Sequence, residues 1–171
     1  MKTTRTTAVL AALLLFTACS RKAERSGPTA SAAMPIAQPA MTAWQQGDTS
    51  RAITSFAQAQ WSISGPLFAR GSTLSLSEEE FQALSNADRQ ARSGEMMSEL
   101  GVFKKLAAAV AEAGRDASSK GDTAQARKYF TSLKQCGVAL DQPGCLRLRI
   151  VQLVGQALEK TADSELARLG Q

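Results

Sequence analysis

The chain has 171 residues, with 20 lysines and arginines against 15 acidic residues, and it contains no histidine. The lack of histidine excludes Ser-His-Asp and Cys-His catalysis and imidazole metal ligands. Aromatic residues make up only 5% of the chain, which argues against a base-stacking platform for single-stranded nucleic acid, and the hydrophobic fraction of 44% is ordinary for one globular domain.

The N-terminal segment has the pattern of an export signal. Lys2 and Arg5 form a short basic region, and the eleven residues 8–18 that follow carry no charge. A helix of that length rises about 16 Å, well short of the ~30 Å hydrocarbon core of a bilayer. We therefore interpret 8–18 as the apolar part of a signal peptide and not as a membrane span. Lys2 and Arg5 also contribute to the net charge of +5. The positive charge that remains without them is too small to predict a nucleic-acid partner.

The apolar segment ends in the sequence Leu15-Phe16-Thr17-Ala18-Cys19. It resembles the lipobox of bacterial lipoproteins, in which an apolar residue and two small residues precede a cysteine, although Phe16 departs from the leucine that the family prefers. The resemblance implies that residues 1–18 are removed and that Cys19 carries a diacylglycerol and an acylated amine, which would anchor the protein to a membrane. Ser20, which is not aspartate, implies the outer membrane more than the inner one, with the protein facing the periplasm. The alternatives are an ordinary cleaved signal and an uncleaved cytosolic N-terminus.

The rest of the chain divides into a tether and a helical domain. Residues 19–35 are small and polar and include two prolines, which predicts a flexible tether. Residues 36–171 show helical periodicity and no convincing strand alternation, so we expect an all-α domain, a small bundle of helical hairpins. The predicted helices are 43–60 with a break and cap at 47–49, then 96–114, a helix after 121–123, 146–158 and a short terminal helix, 160–169. Between them we expect a loop or extended segment at 61–76, a capping box from Ser77 to Glu80 and a polar turn at 88–94.

Apolar residues at helical spacing define the predicted core. The helix 96–114 carries a stripe of six such positions, which are Met96, Leu100, Phe103, Ala107, Val110 and Gly114. The next helix is expected to place four on its inner side, namely Ala126, Phe130, Leu133 and Val138. The segment 146–158 is aliphatic on most sides, and we expect it to be the most buried helix.

Two segments of the chain resemble each other. GDTSRAITSF at 47–56 and GDTAQARKYF at 121–130 share Gly, Asp, Thr, Ala and Phe at the same positions, 74 residues apart. Each is similar to the second-helix half of a tetratricopeptide repeat, in which a small alanine lets the partner helix approach and an aromatic residue fills the gap between hairpins. Before the second copy, Gly114 and Ala117 stand where the family has small residues. Before the first copy, Pro39 stands where a helix would run, so we expect the resemblance to cover only half of that repeat.

Two cysteines remain if Cys19 is lipidated. Cys136 and Cys145 lie on either side of the turn-forming Asp141-Gln142-Pro143-Gly144. An even pair in an oxidising compartment predicts a disulfide that clamps a helix–helix corner. A redox dithiol is the alternative, although the C-x8-C spacing differs from C-x-x-C. Two thiolates alone leave a zinc site incomplete.

No other residues predict catalysis, a cofactor or a metal. The acidic run Glu78–Glu80 is explained by its position at a helix start, where negative charge complements the helix dipole. Arg147 and Arg149 are two residues apart and therefore lie on different faces of a helix. Of Trp44 and Trp61, we expect either core anchors or an exposed contact surface.

These observations together predict a class of function. We expect a non-enzymatic, lipid-anchored protein of the cell envelope whose helical domain binds another protein or an envelope component. The alternatives are a periplasmic thiol or redox accessory protein that uses Cys136 and Cys145, and a carrier of an apolar ligand with a cavity lined by helix 146–158.

Overall fold

The computed structural model describes residues 34–61, 65–142 and 147–170, and this part of the chain is all-α, as predicted. It lies within one compact unit, 32–171. The helices are α1 (Gln38–Gln45), α2 (Thr49–Gln58), α3 (Glu78–Gln82), α4 (Asn86–Ser119), α5 (Thr123–Leu140) and α6 (Arg149–Arg168), with a short 3₁₀ helix at Thr73–Ser75. The signal segment, most of the tether, Cys19 and Cys145 lie outside the described residues.

The two similar segments form the same turn. Gly47 and Gly121 both adopt φ +79°, a conformation that glycine tolerates best. Asp48 and Asp122, which follow these glycines, cap α2 and α5. Each carboxylate accepts a hydrogen bond at 3.0 Å from the backbone N–H three residues later. The internal similarity is therefore a repeated local structure, α1–turn–α2 and α4–turn–α5.

The expectation that Pro39 interrupts the first hairpin is wrong. Pro39 lies in the first turn of α1, where a backbone N–H has no helical partner to lose. Ala40 and Ala43 of α1 are both buried, and they stand 74 residues before Gly114 and Ala117. The first hairpin therefore has small residues at the same positions as the second, on a helix of only eight residues.

Helix α4 is much longer than the sequence predicts. The segment 88–94, expected as a polar turn, is helical, since the Ser85 hydroxyl caps the helix at Asp88 N (3.1 Å) and no proline follows. Gly94 has open space around it, and a glycine inside a helix costs about 1 kcal/mol, which a helix of 34 residues tolerates. The predicted stripe is confirmed, because all six of its residues are buried: Met96, Leu100, Phe103, Ala107, Val110 and Gly114.

Helices α5 and α6 correct three further expectations. Val138 is 45% exposed, and the neighbouring Gly137 takes the inner position against α6. The predicted helices 146–158 and 160–169 are one continuous helix that begins at Arg149. This helix has four buried residues against eight each in α4 and α5, so it is not the most buried helix.

An aromatic cluster joins the first hairpin to the second. The rings of Phe56 and Trp61 are 4.7 Å apart, and Phe68 packs edge-on against Phe103 at 5.6 Å. Trp61 Nε1 donates to the Phe56 carbonyl oxygen (3.2 Å) and to Ser132 Oγ (3.0 Å), which in turn donates to the same carbonyl (2.8 Å). Trp61 is therefore a core anchor that fixes the end of α2 to α5, whereas Trp44 is only partly buried.

Candidate functional site: an apolar groove between α4 and α6

Helices α4 and α6 lie side by side on α5 and leave a groove between them. Both point the same way, since Arg115 near the C-terminus of α4 contacts Glu165 near the C-terminus of α6. The groove encloses about 530 Å³, within the range of ligand and peptide sites in proteins. Its lining consists of Met97, Leu100, Gly101, Lys104, Ala107, Ala108, Ala111, Arg115, Leu133, Ile150, Leu153, Val154, Ala157, Leu158 and Thr161.

The two walls of the groove differ in composition. Half of the residues of the α4 wall are small and lie from Gly101 to Ala111, whereas the α6 wall consists mainly of larger aliphatic residues, from Ile150 to Leu158. Leu133 of α5, which is 1% exposed, lies at the base. The α4 wall runs from Met97 to Arg115, a rise of about 27 Å. The site is thus a long apolar cleft and not a round cavity.

Large apolar side chains are exposed on opposite walls of the groove. Met97 of α4 is 58% exposed and Leu153 of α6 is 49% exposed. Within the described ranges only two other large hydrophobic residues are comparably exposed, Met34 and Val138, and neither lines the groove. A contiguous apolar surface of this kind marks contact sites for proteins, ligands or membranes.

An ion pair joins the walls at one end of the groove. Arg115 Nε is 2.8 Å from Glu165 Oε1, and Arg115 Nη1 is 2.7 Å from Glu112 Oε2. These hydrogen bonds, above all the one that Arg115 donates to Glu165, raise the pKa of the Arg115 guanidinium. Glu165 is 9% exposed and also lies 3.4 Å from Arg168. The pair connects α4 and α6 beyond the last apolar residue of the groove.

Helix α6 is fixed in place mainly by α5. A Cβ atom on Gly137 would lie 2.7 Å from the Gly155 carbonyl oxygen, so the two backbones touch. Lys134 Nζ is 2.7 Å from Asp163 Oδ1, which raises the pKa of that lysine. Arg147 Nη1 donates to the Ala139 carbonyl oxygen at 2.7 Å and holds the start of α6 against the end of α5. The groove is therefore preformed, because the α6 wall could move only if these contacts broke.

The residues that the sequence marks for disulfide or redox chemistry lie away from the groove. Cys136 of α5 is fully buried, and its sulfur bonds to no other cysteine of the described residues. Burial raises its pKa well above the ordinary value, and the nearby charge of Arg147 offsets this only in part. Cys145, its predicted partner, lies outside the described residues, so the disulfide stays a prediction.

The charged residues singled out in the sequence have structural roles. The Ser77–Glu80 capping box is formed as predicted, and the hydrogen bond from the Ser77 backbone lowers the pKa of Glu80. Arg147 binds the Ala139 carbonyl, while Arg149 bonds to Gln152 at the surface, so they do not form a common site. Across the described ranges, no three His, Cys, Asp or Glu residues lie together as metal ligands would.

The apolar character of α6 is the sequence signal for this groove, but the same character also predicts burial. Helix α6 is apolar on more sides than α5 alone can cover, and such a helix is either deeply buried or lines a binding surface. Only the positions of its neighbours distinguish these outcomes.

Comparison with known proteins assigns no family. The chain matches no protein-family model, no curated protein and no solved structure. None of the helices in the described ranges has the length and apolar character that a membrane span requires.

Proposed function

We propose that the protein is a lipid-anchored, non-catalytic binding module of the bacterial cell envelope, and that the α4–α6 groove receives the apolar face of a helix from a partner protein. The observation that carries this proposal is the preformed cleft with Met97 and Leu153 exposed on its two walls. Leaving such residues in water is unfavourable by roughly 1.5–3 kcal/mol for a whole side chain, so a covering partner gains free energy from them.

The shape of the groove favours a helix as the occupant. Its α4 wall rises about 27 Å and its α6 wall, from Ile150 to Thr161, about 16 Å, which matches a helix of roughly 11 to 18 residues. The small residues Gly101, Ala107, Ala108 and Ala111 allow another backbone to approach closely. A volume of about 530 Å³ holds a row of side chains and not a whole helix. An amphipathic helix that binds in a groove inserts such a row, its residues i, i+3, i+4 and i+7.

A carrier of an apolar ligand is the second candidate, and the volume of the groove supports it. Small-molecule sites of about 300–1,000 Å³ are lined mostly by apolar residues with a few polar groups, and α6 lines the groove through Ile150, Val154 and Leu158, as that alternative predicts.

A crosslinking experiment tests the use of the groove. A photoreactive amino acid would replace Leu153 in the full-length protein in native membranes, and Val138 would be the matched control, because it is an exposed aliphatic residue outside the groove. We expect a discrete protein adduct from position 153 and none from position 138. The adduct from position 153 should be lost when Ala108→Trp fills the cleft. Equal adducts at both positions would contradict the proposal, and an adduct with the mass of a lipid would support the carrier instead.

The anchor rests on the lipobox-like sequence that ends at Cys19. Acyl chains contribute about 0.8 kcal/mol per buried methylene, so two or three chains hold a protein firmly on a membrane. We therefore propose attachment at Cys19, with the domain in the periplasm and the outer membrane as its site. Cys19→Ala should release the protein into the soluble fraction, and membrane retention of that variant would defeat the anchor.

The disulfide between Cys136 and Cys145 remains part of the proposal as a structural staple. A nucleophilic thiol needs a lowered pKa and access, whereas Cys136 is buried and its pKa is raised, which speaks against a redox role. Thiol titration of the native protein distinguishes the two functions: a cystine inert to mild reductant supports the staple, and rapid exchange supports redox chemistry.

The repeat-like ancestry of the domain is supported by the paired hairpins. Gly114 lies so close to the Phe130 ring that a Cβ atom would be 2.7 Å from it, and the first hairpin has the small Ala40 at the equivalent position. A small residue against an aromatic one in the second hairpin, and a small residue at the matching position of the first, support the tetratricopeptide-like ancestry that the sequence resemblance implies.

A further inference from the structure

The charged groups that line the groove are all cationic. Lys104 and Arg115 are the ionisable residues of the lining, and it contains no carboxylate. Arg115 is already engaged by Glu165 and Glu112. Lys104 forms no ion pair or hydrogen bond with any residue of the described ranges, and it lies midway along the α4 wall, between Gly101 and Ala107.

The acidic residues of the two walls are held elsewhere. Glu112 and Glu165 are paired with Arg115, at the end of the groove where this ion pair joins α4 to α6. Asp163 is paired with Lys134 of α5. Glu159 packs its Cγ against Gly137, on the side of α6 that faces α5. Glu99 of α4 accepts hydrogen bonds from Ser72 and Thr73, and the charge of Glu159 acts on Lys134. None of these carboxylates forms an ion pair with Lys104.

Further lysines border the groove on its solvent side. Lys105 is four residues after Gly101, and Lys160 is seven residues after Leu153, so each projects on the same side of its helix as that groove residue. Both are exposed, and neither has an ion-pair partner in the part of the chain that the structure describes. The cleft is thus an apolar stripe bordered by three ammonium groups that form no ion pair within the described ranges.

We infer that the groove selects an amphipathic partner helix whose polar edges carry carboxylates, placed to meet Lys104, Lys105 and Lys160. The inference rests on the proposed function and adds the chemistry of the partner to it. The apolar face supplies most of the affinity, and the charges supply orientation and discrimination, because like charges on a partner would meet three cations.

Three synthetic helical peptides of 18 residues test the inference. They share one apolar stripe of leucine and alanine at i, i+3, i+4 and i+7 and carry Glu, Gln or Lys at the edge positions. Binding to the full lipidated protein in phosphatidylcholine nanodiscs is measured by fluorescence anisotropy. We expect the Glu peptide to bind about tenfold more tightly than the Gln peptide, with the Lys peptide weakest and the difference shrinking at high salt.

Charge variants of the protein supply the matched controls. Replacing Lys104, Lys105 and Lys160 together by glutamine should make the Glu and Gln peptides bind equally while leaving apolar binding in place. Replacing Lys120, Arg127 and Lys128 by glutamine removes the same charge from exposed positions outside the groove and should leave the preference unchanged.

The outcomes separate the inference from the proposed function. Equal binding of the Glu and Gln peptides to the native protein overturns the inference and leaves the groove as a helix site. No binding of any peptide overturns both. Binding of the native protein to phosphatidylglycerol vesicles but to no peptide, lost in the triple-lysine variant, also overturns the inference and makes an anionic membrane the occupant.

Discussion

The side of α6 that faces α5 and the side that faces α4 are both apolar, but they are packed differently. Against α5, Gly137 and Gly155 bring the two backbones into contact, and a methyl group on either would meet a carbonyl oxygen within 2.8 Å. Against α4, the one strong contact is the Arg115–Glu165 ion pair. Ile150, Leu153 and Val154 line the groove and face α4 across it. Apolar composition alone therefore does not show which face of a helix belongs to the core.

The two sides of α6 divide stability from binding. The closed side, which packs on α5, fixes the position of α6. The open side, which faces α4, is thereby held apart from α4 and forms one wall of the groove. If this division is correct, substitutions on the closed side should lower the free energy of unfolding, and substitutions on the open side should change binding with little effect on stability.

The largest effect is expected from Gly137→Ala. Its Cβ would lie 2.7 Å from Gly155 O and 2.9 Å from Glu159 N, both backbone atoms, so α5 and α6 must move apart. We expect a loss of about 1–3 kcal/mol of unfolding free energy, as in other overpacked interiors, measured by urea denaturation.

Gly94→Ala is the matched control for that substitution. Gly94 is also inside a helix, but it has open space around it, so the variant should gain roughly 0.5–1 kcal/mol from helix propensity. Equal effects of the two substitutions would mean that α5 and α6 are not in close contact.

A smaller effect is expected from Arg115→Met at the end of the groove. The variant removes the contact between α4 and α6 and leaves Glu165 with only the longer Arg168 pair. Because the Arg115 side chain is 45% exposed, the loss should be about 1 kcal/mol, seen as a lower urea midpoint.

The pH dependence of this variant follows from the raised pKa of Arg115. A group whose pKa is raised on folding stabilises the protein below its unfolded pKa, and that contribution is lost only as the pH rises through the folded value. Arginine is protonated far above neutral pH even when unfolded, and folding raises the pKa of Arg115 further, so the difference between wild type and Arg115→Met should be constant from pH 7 to 10. A difference that disappears in this range would contradict the assigned pair.

Much of the fold could be predicted because its signals are local. The Gly-Asp-Thr turns, the Ser77 capping box and the six-residue stripe of α4 each depend on residues within one or two helical turns of each other. Local hydrogen bonds and helical periodicity determine such features.

The errors in the prediction involve choices between local alternatives, one of them decided by a helix cap and the others by distant contacts. Segment 88–94 has polar residues and a glycine that suit either a turn or an exposed helix, and the Ser85 cap selects the helix. Val138 and Gly137 are adjacent, and only the approach of Gly155 shows that the glycine faces inward. The alternative of a cavity lined by 146–158 identifies one wall of the groove, but the α4 wall could not be predicted, since it depends on the spacing of α4 and α6, which are far apart in sequence.

The smallest effect on stability is expected from Leu153→Ser on the open side of α6. Leu153 is already 49% exposed, so the unfolding free energy should change by no more than about 0.5 kcal/mol. Binding of the Glu peptide should nevertheless weaken several-fold, because Leu153 contributes apolar surface that only a partner covers. Val138→Ser, at a similarly exposed aliphatic residue outside the groove, should leave both quantities nearly unchanged. A large loss of stability in Leu153→Ser would instead show that this side of α6 belongs to the core, and that the division between its two faces is wrong.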